Sequence, residues 1–290
     1  QRQMCIRDRL LNSIFTEKSM AAFERGERYA PFYEAANSYL PPQGSCTNAE
    51  VLSQLYRYMF RHYRNEYIYK DFLFKKLLFG IHSPRTSVAM CELPIGGSVA
   101  DFVFINGRAV VYEIKTELDN HLRLRGQIEN YYSAFRFVNI VCPEQDCQEL
   151  MKEYADSPVG ICVLTRRGNI SVRKDAIEYD AALDKSVQFD VLRKREREKT
   201  IEYFGGSVPQ VGASRYYTEC LKAFMSIDDD GFQQFFELLL KKRGASVNMR
   251  ALLQYPEEFK LIAYLHKQTE SQARSLGDFL SKPYESFRRD

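Results

Sequence analysis

Nowhere does the sequence hold an apolar run approaching the roughly 18 residues that a membrane-spanning helix needs, so no membrane association is expected. No charged start followed by an apolar stretch reads as a secretory signal, and the cytoplasm is the expected compartment. A glycine-rich phosphate loop ending in Lys-Ser or Lys-Thr is also missing, which argues against a nucleotide-driven motor. Histidine is scarce: His62, His82, His121 and His266 are scattered, and they form no histidine-metal nuclease motif. Seven cysteines, odd in number and dispersed, make no disulfide framework. Cys142 and Cys147 are the closest pair, but no second pair or nearby histidine completes a zinc site. They read as a buried thiol at a strand end and a helix residue. Strong charge is lacking too, since a formal +3 does not by itself mark a nucleic-acid binder.

What the sequence does contain is a pattern of strands and helices. Its 290 residues suffice for one large domain or a core with flanking subdomains. Gln1 to Arg9 resemble translated adapter read-through and are set aside from fold reasoning. Residues 10–45 read as an N-terminal helical segment closed by Pro41-Pro42-Gln43-Gly44-Ser45. Thr47 or Asn48 caps a long helix from about Ala49 to Phe79, stopped by Gly80 and Pro84. Strands follow near 87–93, 99–105 and 109–116, then a helix at about 120–136, a strand at 137–142, a short helix near 145–155, and strands at 159–165 and 170–172. This order predicts an α/β fold, a mixed central sheet flanked by helices, over residues 46–178. Residues 179–290 read as a helical C-terminal region, broken at Gly205-Gly206-Ser207-Val208-Pro209. That region has no catalytic constellation and offers a possible surface for a protein partner.

The chemistry concentrates in Ala100-Asp101, a turn at Asn106-Gly107, and Val110-Val111-Tyr112-Glu113-Ile114-Lys115. Side chains alternate along a strand, so Glu113 and Lys115 share a face. A carboxylate and an ammonium at the end of an apolar strand are expensive to bury unless metal and substrate complete the site. The hairpin sets a condition. A two-residue Asn106-Gly107 loop would put Asp101 opposite Tyr112 and on the wrong face, whereas an odd loop with Gly107 left-handed keeps Asp101, Val111 and Glu113 together. The odd loop is expected. Glu66 shares a helical stripe with Leu73 and Leu77, which points its carboxylate inward, with a salt bridge to a nearby base as the alternative. Gln127 interrupts the apolar face formed by Leu124, Ile128, Tyr131 and Phe135. A buried glutamine needs partners, either a metal-bound water or phosphate, or a sheet-end carbonyl.

Together these segments resemble the PD-(D/E)XK, or restriction-endonuclease-like, nuclease superfamily. The motifs Asn65-Glu66-Tyr67, Ala100-Asp101, Tyr112-Glu113-Ile114-Lys115-Thr116-Glu117-Leu118-Asp119 and Gln127 are similar to a bacterial branch of it. The likeness covers roughly residues 50–145, and Ala100 stands where the superfamily carries proline. It implies a metal-dependent nuclease, hydrolysing phosphodiester bonds of nucleic acid, with DNA the expected polymer. Asp101, Glu113, Lys115 and Gln127 would be catalytic. Asp101, Glu113, the Ile114 carbonyl and Glu66 would hold Mg2+ or Mn2+, oxygen ligands suiting a hard cation. Gln127 and Tyr131 match the superfamily's helix polar pair.

Cations at Arg123 and Arg125, with Tyr131, are the expected nucleic-acid contacts. The second basic stretch, Arg193 to Lys199, has interleaved acids and reads as a solvated helix face with ion pairs. Tyr56, Tyr58, Tyr63, Tyr67 and Tyr69 read as packing groups. Asp228-Asp229-Asp230 precede a helix, where acids act as caps. Glu258-Phe259-Lys260 repeats the Glu-x-Lys pattern in a helix after Pro256, where residues two apart diverge. Two rival readings stand beside the nuclease: a non-catalytic nucleic-acid-binding module on the same fold, and a helical interaction protein with the core as scaffold.

Overall fold

The computed structural model describes residues 6–228, 230–245 and 247–285. The chain divides into two compact units, one drawn from the residues up to Phe74 and those after Ala245, the other running from Lys75 to Ala245. Among the described residues no helix is long and apolar enough to cross a membrane.

The first unit is helical. It begins with α1 (Ile6–Asn12), α2 (Glu17–Glu24), α3 (Ala30–Tyr39), α4 (Asn48–His62) and α5 (Glu66–Phe74). Ile6 to Arg9, set aside above, are thus helical, and residues 1–5 lie outside the described residues. Thr47 caps α4 in a box with Glu50, whose carboxylate accepts the Thr47 N–H at 2.7 Å. The helix does not continue to Phe79 as its apolar stripe predicts. At Tyr63 the backbone leaves helical space, with φ −151° and ψ 71°. Asn65 Oδ1 then accepts the Ile68 N–H at 3.2 Å and starts α5. A short side chain that satisfies an orphan N–H competes with continuation of the helix, which accounts for the break. Tyr56 and Tyr67 direct their hydroxyls to Asp71 and to the Glu258 carbonyl, as packing tyrosines do.

In the second unit a π-helical segment, Lys75–Ile81, leads into a six-stranded sheet. Its strands are β1 (Val88–Ile95), β2 (Ser98–Asn106), β3 (Arg108–Ile114), β4 (Phe137–Pro143), β5 (Gly160–Leu164) and β6 (Ile170–Lys174), in spatial order 1-2-3-4-5-6. β1, β2 and β3 are antiparallel, β3 to β5 parallel, and β6 antiparallel again. The predicted mixed α/β sheet flanked by helices is therefore the fold. Its helices are α6 (Leu124–Tyr132), α7 (Cys147–Glu153), α8 (Lys185–Val191), α9 (Lys194–Tyr203), α10 (Ala213–Met225) and α11 (Phe232–Gly244). One sheet face supplies Val103, Val111, Val138, Ile140, Ile161 and Val163 to a core shared with Ile128, Phe135, Phe189, Phe224 and Phe236 from the helices. The basic stretch is ion-paired, with Lys194 to Glu198 at 4.0 Å, Arg197 to Asp190 at 3.5 Å, and Arg243 to Glu196. Asp229 lies outside the described residues; α11 starts on Gly231 at φ 72° with no side-chain cap, so neither Asp228 nor Asp230 is its cap residue.

α12 (Met249–Gln254), α13 (Lys260–Leu265) and α14 (Glu270–Ser281) return to the first unit. Phe279 stacks on Phe23 at 4.6 Å, its carbonyl accepts from Asn48 Nδ2 at 3.0 Å, and Tyr284 N–H donates to the Cys46 carbonyl at 2.8 Å. The compact units therefore run differently from the blocks 10–45, 46–178 and 179–290. The apolar face of α14 is buried against α2 and α4, which places the chain's two ends in one unit.

Two stability predictions arise from the second unit. Asn139 pairs with Gly160 across β4 and β5. A Cβ at Gly160 would lie 2.0 Å from Asn139 Oδ1 and 2.7 Å from the Ala176 nitrogen. Gly160→Ala should cost about 1–3 kcal/mol, seen as a lowered thermal midpoint. Adding Asn139→Ala should recover part of the loss, and a single variant melting like the wild type would refute the clash. Glu237 on α11 is buried, accepting from Ala109 N–H at 3.2 Å and from Gln233 at 3.0 Å. Burial raises its pKa above 4.5, against the opposing pull of these hydrogen bonds and of Arg136. A carboxyl harder to ionise when folded costs stability as pH rises through 4.5 toward its folded value. Melting curves of Glu237→Gln should fall less steeply over that window than those of wild type, and parallel curves would remove Glu237 as the cause.

Candidate active site

The hairpin register decides the geometry. Asn106 pairs with Arg108 around Gly107, whose φ is +74°, and the ladder runs back to Phe102 opposite Tyr112. The loop is odd, and the same register continued by one residue sets Asp101 opposite Glu113. Both fall on the sheet face that carries Val103 and Val111, with Lys115 following on that face. Asp101 Oδ2 accepts the Ile114 N–H at 2.7 Å, and the Lys115 N–H donates to the Val141 carbonyl of β4 at 2.8 Å. These bonds hold the end of β3 between its two neighbours.

α6 packs over that end. Lys115 Nζ donates to Glu113 Oε1 at 2.8 Å and to Gln127 Oε1 at 2.9 Å. The Tyr131 hydroxyl lies 2.5 Å from Glu113 Oε2 and 2.9 Å from the Val99 carbonyl. Burial, then the Glu113 charge and hydrogen bond, push its pKa far above that of an ordinary phenol, so it remains a donor. Glu113 is 1 % exposed and Lys115 7 %. A buried charged pair with each charge further hydrogen-bonded is an arrangement that breaking one partner destabilises strongly. Gln127 Oε1 accepts from the Lys115 ammonium, a partner its position in the sequence did not name.

One expectation is corrected, and for another the stated alternative is the one found. Tyr131 is fully buried and turned onto Glu113, so it positions the carboxylate and is no surface contact for nucleic acid. Glu66 takes the salt-bridge alternative. It is the first residue of α5, exposed, and its carboxylate pairs with Lys70 one turn on, where a helix start favours an acid. Arg123 and Arg125 are exposed as expected, Arg125 reaching Glu129 at 3.2 Å. They sit at the start of a helix shorter than predicted. Asp119 Oδ2 accepts the Thr116 N–H and hydroxyl, both at 2.9 Å, and Asn120 Oδ1 accepts the Leu122 N–H at 3.3 Å, which keeps 116–123 as a loop. In the second Glu-x-Lys, Glu258 lies in the turn before α13, where it accepts from Ser53, and Lys260 opens the helix.

Sequence reasoning missed Glu92. It lies on β1 at φ 53°, and its carboxylate comes within 4.8 Å of that of Asp101. The signal was countable: Ile95 pairs with Ser98 across Gly96 and Gly97, and the same register puts Glu92 beside Asp101. Asp101 and Glu92 offer neighbouring hard oxygen donors, which fit a magnesium-type cation better than a soft one, while the two Glu113 oxygens accept from Lys115 and Tyr131.

A span containing all of these residues, 59–254, matches the family model described as Bacteriophage P4 protein cII. The chain belongs to this family. One relative, "Protein cII" of Enterobacteria phage P4, is 28% identical over 159 residues, 54% of this chain and 57% of that protein. The matched stretch thus spans little more than half of that relative's length. No solved structure matches the chain.

Proposed function

We propose that this cII-family chain is a metal-dependent nuclease of the PD-(D/E)XK kind that hydrolyses phosphodiester bonds in DNA. The observation that carries the reading is the Lys115 ammonium, held by Glu113 and Gln127 on the face shared with Asp101. Asp101, Glu113 and the Ile114 carbonyl would hold a magnesium or manganese ion, which polarises a phosphate and lowers the pKa of a bound water. Lys115 meets the charge that develops on the phosphorane. An amine with a reference pKa of about 10.4 is protonated at neutral pH, so electrostatic positioning suits it better than proton abstraction. Gln127 fixes the ammonium, and Tyr131 orients the Glu113 carboxylate. The family name states no chemistry, so the proposal rests on this geometry. Incubating the purified protein with single- and double-stranded DNA and RNA, with magnesium, manganese or a chelator, tests it directly. Metal-dependent cleavage of DNA is the expected result, and intact polymers under every condition would refute the proposal.

A further inference from the structure

The segment between Lys115 and Gln127 carries an unusual surface. Leu122 is 90 % exposed and Leu118 54 %, on the loop between the end of β3 and α6. Single exposed leucines are common and need no explanation. Here, however, side chains hydrogen-bond the loop backbone along its length. The Asp119 bonds close the start of the loop, Asn120 holds the Leu122 N–H, and His121 reaches Asp146 at 3.8 Å. Holding a bare leucine out on a braced loop gains nothing for the fold. Exposed Arg123 and Arg125 follow at once, and α6 has no acid in its first turn.

The depth of the site bears on the same question. Glu113 and Lys115 are almost wholly covered. A straight, fully stacked duplex presents its phosphates on a convex surface and does not reach side chains so covered, whereas a strand whose stacking is interrupted can bend toward them. Resting on the nuclease reading, we propose that Leu122 is a wedge. It enters DNA at an unstacked step while Arg123 and Arg125 take the flanking phosphates, so the preferred substrate is duplex DNA with a nick or bulge. Apolar side chains that part base steps beside cations use the same physics. Nicks and bulges have already lost part of the stacking that the wedge must break.

The test uses the full chain in calcium-containing buffer, with fluorescence anisotropy for affinity and 2-aminopurine beside the nick to report unstacking. Wild type should bind the nicked duplex more tightly than the intact one and raise 2-aminopurine emission. Leu122→Ala should cut that preference by about tenfold, equivalent to about 1.4 kcal/mol, and suppress the emission, while Leu122→Met retains both. Leu122 is exposed, so the variants should melt like the wild type. An unchanged preference in Leu122→Ala overturns the wedge and leaves the nuclease proposal standing if cleavage persists. A change confined to self-association on gel filtration, or to binding of anionic lipid vesicles, overturns it in favour of a contact between copies or with a membrane. Failure to bind any nucleic acid overturns both proposals.

Discussion

Lys115→Ala is expected to slow DNA cleavage by about 10²- to 10³-fold, the loss seen when one preorganised donor to a transition-state charge is removed. DNA affinity should stay within a few fold, because the ammonium is nearly covered and the exposed cations lie elsewhere. The variant also leaves the buried Glu113 carboxylate with Tyr131 but without its ion partner. Removing one member of such a pair costs about 3–5 kcal/mol, so a lower melting temperature should accompany the kinetic defect. Assays well below the new midpoint keep the two effects apart. The contrast is Glu258→Ala, in the second Glu-x-Lys tripeptide. It loses one hydrogen bond to Ser53, and cleavage should remain near the wild-type rate. Equal rate losses in both variants would mean that the strand setting of Glu113 and Lys115 has no bearing on the chemistry.

The sheet could be read in advance because its signals are local. Short apolar runs separated by Gly96-Gly97, Asn106-Gly107 and Arg166-Arg167-Gly168-Asn169 mark the strand ends, and the parity of the Gly107 loop fixes which residues face each other. The placement of Asp101, Glu113 and Lys115 on one face followed from that parity alone. Gln127 and Tyr131 were visible as polar interruptions of an apolar helix face, yet their partners were not, because helix periodicity gives a direction and not what lies there. The helices were legible in kind and wrong in extent wherever a short polar side chain captured a backbone N–H. Asn65 split the helix predicted over 49–79 this way, and Asp119 with Asn120 shortened the one predicted over 120–136. Glu66 shows the cost of such an error. Its inward direction depended on an unbroken stripe, and once Asn65 restarted the helix the stripe no longer applied. The union of the two chain ends in one unit was beyond reach, since nothing in the α14 sequence names α2 and α4 as the surfaces that cover it.

Asp101→Asn separates metal binding from architecture. The Asp101 carboxylate both faces the proposed ion and accepts the Ile114 N–H. Asparagine keeps the shape and a carbonyl oxygen for that hydrogen bond, so the end of β3 should remain in place and the thermal midpoint should barely move. What disappears is the negative charge. A hard divalent cation is held mainly by charged oxygen, and magnesium sites commonly use only one or two carboxylates. Removing one of two therefore takes away much of the attraction. Manganese affinity, followed by calorimetry or by the paramagnetic resonance of the free ion, should fall by at least about tenfold, a loss of about 1.4 kcal/mol, with cleavage falling in parallel and partly returning at high manganese. Glu92→Gln should give a smaller shift in the same direction, since its carboxylate comes within 4.8 Å of that of Asp101 but is not one of the two proposed ligands. Unchanged manganese binding in Asp101→Asn, in a protein that melts like wild type, would place the ion elsewhere. The Asp101–Ile114 bond would then be a brace for the end of β3 and nothing more.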